Sequence, residues 1–145
     1  MDYFFVDDEE FSRLARTGGL LEWAEVFGHS YGTPVRPVEE ALRGGHDVVL
    51  EIDVQGAHQV RERMPSAILI LLEPPSSAEL ERRLRERATE SEERLAERLA
   101  TAEWELAQHA WFDHVLVNDD LDRAVDLLVA IIQGLPSSTE GPTHP

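Results

Sequence analysis

Neither cysteine nor lysine occurs anywhere in the 145 residues. Without cysteine there are no disulfides, no thiolate metal ligands and no thiol nucleophile. Without lysine, Schiff-base chemistry is closed to these residues, and so is an amine placed on a nucleotide phosphate. All thirteen cations are arginines, set against 29 acidic residues, and the formal net charge of -16 argues against a nucleic-acid partner because phosphate contacts need a cationic surplus. Long apolar runs are missing too. None approaches membrane-spanning length, and no basic, apolar and small-residue order marks an export signal, so the sequence predicts a cytoplasmic protein with no membrane partner. What remains, 42% hydrophobic and 29% charged, has the composition of one soluble globular domain.

Val48-Val49-Leu50-Glu51-Ile52-Asp53-Val54-Gln55-Gly56 is the most informative stretch. A β-branched run of strand length ends in two carboxylates, followed by Gln-Gly and a helical pattern from Ala57 to about Met64, stopped by Pro65. In a strand, Glu51 and Asp53 would share one face. Either they form a working site, since paired carboxylates at a buried strand end need cationic or hydrogen-bonding partners, or the sheet ends there and both are solvated.

Other elements can be read in order. Asp7 with Glu10 predicts an N-cap, Val6 and Phe11 a hydrophobic staple, and the helix ends near Gly18. Leu21 to Val26 alternates as a half-buried strand, Gly28-His29-Ser30 turns, and Pro37 opens a helix closed by Gly44-Gly45. Ala67 to Leu72 and His114 to Val117 read as further strands, and strands apolar on both faces suit a helix-covered, mostly parallel sheet. Helices follow from Ser76 toward Arg87, from Ser91 to His109, and from Leu121 to about Gln133, the last capped by Asp119 or Asp120. Residues 1–133 form the expected domain, and the Pro/Ser/Thr/Gly-rich 134–145 a disordered tail. Alternating strands and helices with an early hairpin predict an α/β sheet whose ligands bind at strand carboxyl ends, where Glu51, Asp53, Glu73 and Asn118 fall.

Arg82, Arg83, Arg85, Arg87, Arg94 and Arg98 flank a break at Ala88-Thr89-Glu90-Ser91. They read either as a solvated face paired with Glu79, Glu81, Glu86 and Glu93 or as a hinged arm closing guanidinium groups on phosphate. Tyr3 and Tyr31 taken alone are packing residues, Trp23 and Trp104 core, and Asn118 a turn residue. None of the six histidines has a spacing that suggests catalysis or a metal site.

Taken in order, Asp2-Tyr3-Phe4-Phe5-Val6, Leu21-Glu22-Trp23-Ala24-Glu25, Gly28-His29-Ser30-Tyr31-Gly32-Thr33, Leu50 to Gly56, Pro74-Pro75-Ser76, the Arg83 to Arg98 arm and Val117-Asn118-Asp119-Asp120 resemble the guanylate kinase family at matching spacing. The resemblance implies a P-loop-kinase-like α/β fold, with a GMP-binding part over 1–36 and a lid over about 82–98. It implies phosphorylation of GMP to GDP by ATP with Mg2+ in purine nucleotide metabolism, and no tightly bound cofactor. Glu22, Thr33 and Asp53 match the guanine contacts, Tyr3 and Tyr31 the donors to the GMP phosphate, Arg87 and Arg98 the lid arginines on ATP, and Asn118 the adenine-side loop. A carboxylate can accept from guanine N1–H and N2–H₂ together, whereas adenine offers an acceptor at N1 and no amino group at C2.

The departures are as specific. The family's opening strand, Gly-rich phosphate loop with its lysine, and two arginines for the GMP phosphate have no counterpart, so an N-terminally truncated chain inactive by itself is expected. Ala88 stands where the lid usually carries Gly, and Ser30 where a first paired tyrosine is often found. The alternative is a non-catalytic module of the same lineage that binds a nucleotide or a protein.

Overall fold

The computed structural model describes residues 3–26, 28–87 and 91–134. Its contacts cluster into two compact units, 1–67 and 68–145. The expected tail lies outside the described residues, apart from Gly134, and so do Ala88, Thr89 and Glu90 of the lid. Among the described residues no helix is long and apolar enough to cross a membrane.

In the first unit, helix α1 (Asp8–Arg16) begins where the capping signal lies, the Asp7 carboxylate accepting from the Glu10 N–H at 2.8 Å. An antiparallel hairpin follows, β1 (Leu20–Val26) and β2 (His29–Pro34), with Gly28 at a φ of 76° in its turn. The turn is tighter than the sequence suggests, for His29 and Ser30 already pair with Val26 and Glu25. Helix α2 (Val35–Arg43) starts two residues before Pro37 and closes at Gly44, and α3 (Val54–Arg63) ends at Met64 just before Pro65. The core gathers Leu21 of β1, Val38 of α2 and Val60 of α3, with Val48, Leu50 and Ile52 packed against them.

That last trio corrects the expected central strand. Val48 to Asp53 makes no ladder with any described strand, because an apolar run becomes a strand only when a neighbour takes up its N–H and C=O groups. Its side chains still alternate: Val48, Leu50 and Ile52 turn inward while Val49, Glu51 and Asp53 are exposed, so the run is covered on one face rather than two. Asp53, expected at a strand end beside Glu51, is instead the N-cap of α3, which starts three residues earlier than its apolar periodicity indicates.

The second unit carries the parallel pairing. Strand β3 (Ile70–Glu73, shorter than the expected Ala67 to Leu72) runs parallel to β4 (His114–Val117), with Ile70 opposite His114 and Glu73 opposite Val117. Helix α4 (Ser77–Arg87) is opened by the Ser76 hydroxyl accepting from the Glu79 N–H, α5 (Glu92–Ala107) by Ser91, and α6 (Leu121–Ile132) by Asp120 accepting from the Arg123 N–H at 2.9 Å. Trp23 and Trp104, expected in the core, are 37% and 47% exposed; Trp23 meets the Phe11 ring edge to face. Such large rings, amphipathic at the indole N–H, sit at the margin of a small core rather than inside it.

Candidate functional site

Helix α3 builds the site of the first unit. Its N-cap, Asp53, spends one carboxylate oxygen on the Gly56 N–H at 2.7 Å and is otherwise open to solvent. Against the same first turn lies Glu22 of β1, the one charged side chain among the buried described residues, 7% exposed. A carboxylate this deep is costly unless hydrogen bonds and a favourable field meet it. Thr33, opposite it on β2, donates its hydroxyl proton to Glu22 Oε1 at 2.6 Å, a short charge-assisted bond. The second oxygen sits over Gly56, where a Cβ would come within 2.7 Å of Oε2. The positive end of α3 thus faces the anion.

Two Leu residues precede Glu22, and all three are buried in succession, which a regular pleat forbids because neighbours point to opposite faces. A bulge between Leu20 and Glu22 resolves the conflict, letting Leu21 enter the core while Glu22 turns toward Thr33 and α3. The structure therefore brings Glu22, Thr33 and Asp53 together at one helix start. Tyr3 and Tyr31 also meet, their rings edge to face at 6.3 Å, but at 63% and 49% exposure neither is the packing residue that its sequence context alone suggests.

In the second unit a cleft of about 190 Å³ is lined by Leu72, Glu73, Pro74, Arg83, Arg87 and Asn118 among others. That is below the roughly 300–1,000 Å³ of a site enclosing a whole small molecule, so it suits one end of a ligand. Arg87 and Asn118 share this cleft. Arg98, half-buried on α5, is not among its walls. Arg83, read from the sequence as part of the arginine run, pairs with Glu79 at 2.7 Å and also donates to the Asn118 C=O at 3.0 Å, fixing the loop after β4 to α4. The arginine-rich face of α4 is largely self-paired. Arg82 bridges Glu79 and Glu86, and Arg85 reaches Glu81. Hydrogen bonds from Arg82 and Arg83 pull the Glu79 carboxyl down to about 2, and Glu79, then Glu86, raise the pKa of the Arg82 guanidinium.

The family model described as guanylate kinase matches residues 1–135. The chain belongs to the guanylate kinase family. It is 52% identical over 132 residues to the guanylate kinase of Thermus thermophilus, covering 91% of this chain and 60% of that protein. It is 48% identical over 144 residues to that of Deinococcus radiodurans, covering 99% of this chain and 60% of that protein. A crystal structure of guanylate kinase from Anaplasma phagocytophilum superposes with a TM-score of 0.72 at 36% identity, over 92% of this chain and 64% of the other. The α/β fold is thus that of the P-loop-kinase-like guanylate kinases. The chain spans about 60% of the length of these two curated relatives.

Three features of this site escaped the sequence reading. Gly56 was legible only as part of a Gln-Gly step, whereas its role here is clearance for Glu22. The bulge in β1 had a signal in the apolar pair Leu20-Leu21 next to an acid. Gln59, described below, had none.

Proposed function

We propose that this chain recognises GMP in its first unit and contributes ATP-side residues from its second, as parts of ATP-dependent phosphorylation of GMP to GDP in the cytoplasm. The observation that carries the reading is the buried Glu22 carboxylate held by Thr33 beside the start of α3. Such a site offers acceptors. Guanine N1–H and N2–H₂ are donors that would replace the water lost on burial, whereas adenine would leave the carboxylate facing an acceptor nitrogen. Asp53, with one oxygen already capping α3, presents the other to the base edge. Tyr3 and Tyr31 would donate their phenol protons to the nucleotide phosphate, and Arg87 and Arg98 would offset charge on the transferring phosphoryl group. Asn118, held by Arg83, would meet adenine. Magnesium would enter with ATP, as the substrate MgATP.

These 145 residues contain neither a lysine nor a Gly-rich phosphate loop. Alone they should bind rather than turn over, which is also what favours the second reading, a binding-only module. Calorimetric titration with GMP and AMP tests the base site, and GMP-dependent ADP formation tests turnover. Preference for GMP that disappears in Glu22→Gln is expected; equal affinity for both nucleotides in the native chain overturns the reading.

A further inference from the structure

Among the described residues, strand β1 pairs with a strand, β2, along one edge. On its other edge a side chain takes the place of a strand. The Gln59 amide accepts from the Trp23 N–H at 3.0 Å and donates to the Trp23 C=O at 2.8 Å, the two-bond exchange that an opposing backbone would make. One turn further along α3, Arg63 donates to the Leu20 C=O. The two contacts bracket the bulge, one on each side of Glu22, and both come from the helix that caps itself with Asp53 and leaves room at Gly56.

We propose that Gln59 is a positioning residue for Glu22, setting the selectivity of the base site through the backbone of Trp23. This rests on the reading of Glu22 as the carboxylate that meets guanine. The Trp23 N–H lies in the same rigid peptide plane as the Glu22 C=O, so holding that N–H fixes the rotation that aims Glu22. Tolerance for misaiming is small, with Oε1 at 2.6 Å from Thr33 and Oε2 hard against Gly56. A bulged edge strand has few ladder bonds to hold its twist, and an external clamp supplies what they do not. Only an amide can satisfy both Trp23 groups. A carboxylate in its place would keep the acceptor and set an anion against the Trp23 C=O, and an aliphatic side chain would leave both unmet.

The test compares native chain, Gln59→Leu, Gln59→Glu and Glu22→Gln by thermal melting, by affinity for GMP, IMP and AMP, and by NMR of the Trp23 amide and the Glu22 side-chain carboxyl carbon. The expected result in both Gln59 variants is a GMP-to-AMP affinity ratio reduced about tenfold, comparable to leaving buried polar groups misaligned, with a displaced Glu22 carboxyl signal and faster Trp23 amide exchange. A purely structural role would lower the melting temperature and weaken all three nucleotides by one factor, and an unchanged ratio overturns the proposal. If Glu22→Gln itself leaves the ratio unaltered, the base-site reading fails. The NMR arm then decides alone, and a Glu22 carbon unmoved by Gln59→Leu would show that Gln59 does not position it.

Discussion

Both units carry exposed ion pairs within helices, but the site of the first and the arginine-rich helix of the second are held by different means. In the first, the defining contacts join residues far apart in sequence: Glu22 to Thr33, eleven apart, and Trp23 to Gln59, thirty-six apart. In the second, ion pairs run along α4 at spacings of three and four, most of them at the surface, beside a few longer-range contacts, Arg83 to Asn118, His109 to Glu73 and the Leu69 N–H to Asp113. Contacts made by a helix with itself exist wherever the helix exists, and are worth a few tenths of a kcal/mol each. Contacts made between elements exist only when the fold is complete, and they are what can be pre-organised for a ligand. The first unit should therefore respond to substitution in its selectivity, and the second mostly in its response to pH and salt.

The sharpest break of that contrast is Glu22→Gln. It keeps the shape and replaces an acceptor oxygen by a donor, and GMP affinity measured by calorimetry should fall by about 100-fold or more while AMP changes little. Next, Gly56→Ala should push the Glu22 carboxylate off the start of α3. A destabilisation of about 1–3 kcal/mol in chemical unfolding is expected from overpacking, with weaker GMP binding alongside it. Smaller still is the comparison of Arg83→Gln with Arg82→Gln. The former loses the bond to Asn118 as well as its Glu79 pair and should cost about 1 kcal/mol, whereas the latter loses only helical surface pairs and should melt close to the native chain. Equal effects would erase the distinction between the units.

The smallest effect is electrostatic and has a definite sign. Glu79 titrates at about 2 in the folded chain against an ordinary value of 4.5, because Arg82 and Arg83 donate to it. A depressed carboxyl contributes its stabilisation in full above 4.5, and loses it as pH falls toward 2. Helicity followed by circular dichroism should therefore decline over that window more steeply in the native chain than in Glu79→Gln, and 1 M salt should narrow the gap.

Caps and ends were the most legible parts of the fold. Asp7, Ser76, Ser91 and Asp120 open helices where their side chains announce it, and β4 spans the residues its apolar run marks, because these signals are local. The Val48 to Ile52 run misled for a complementary reason: hydrophobicity identifies what is packed, and ladders require a partner that composition does not name. Asp53 misled because capping and strand-end chemistry use the same residue types. In the site, Glu22, Thr33 and Asp53 were legible through the family pattern, and the structure sets them side by side. Gln59 was not, since a glutamine that imitates a backbone leaves no periodic trace. Nor did spacing reveal that Arg98 stands apart from the cleft that Arg87 and Asn118 share.

The bulge in β1 turns the covalent neighbours Leu21 and Glu22 to opposed surroundings, one an anchor beside Val38 and Val60 and the other a buried anion held by Thr33, the one proposed to read the base. Robustness and discrimination are therefore geared together at a single peptide bond. A larger or smaller side chain at position 21 would turn the carboxylate beside it, so core repacking in this unit should show up first as altered nucleotide preference and only later as loss of fold. Directed evolution toward another base has the converse route open to it, working from the apolar side of the bulge without touching any residue that meets the ligand.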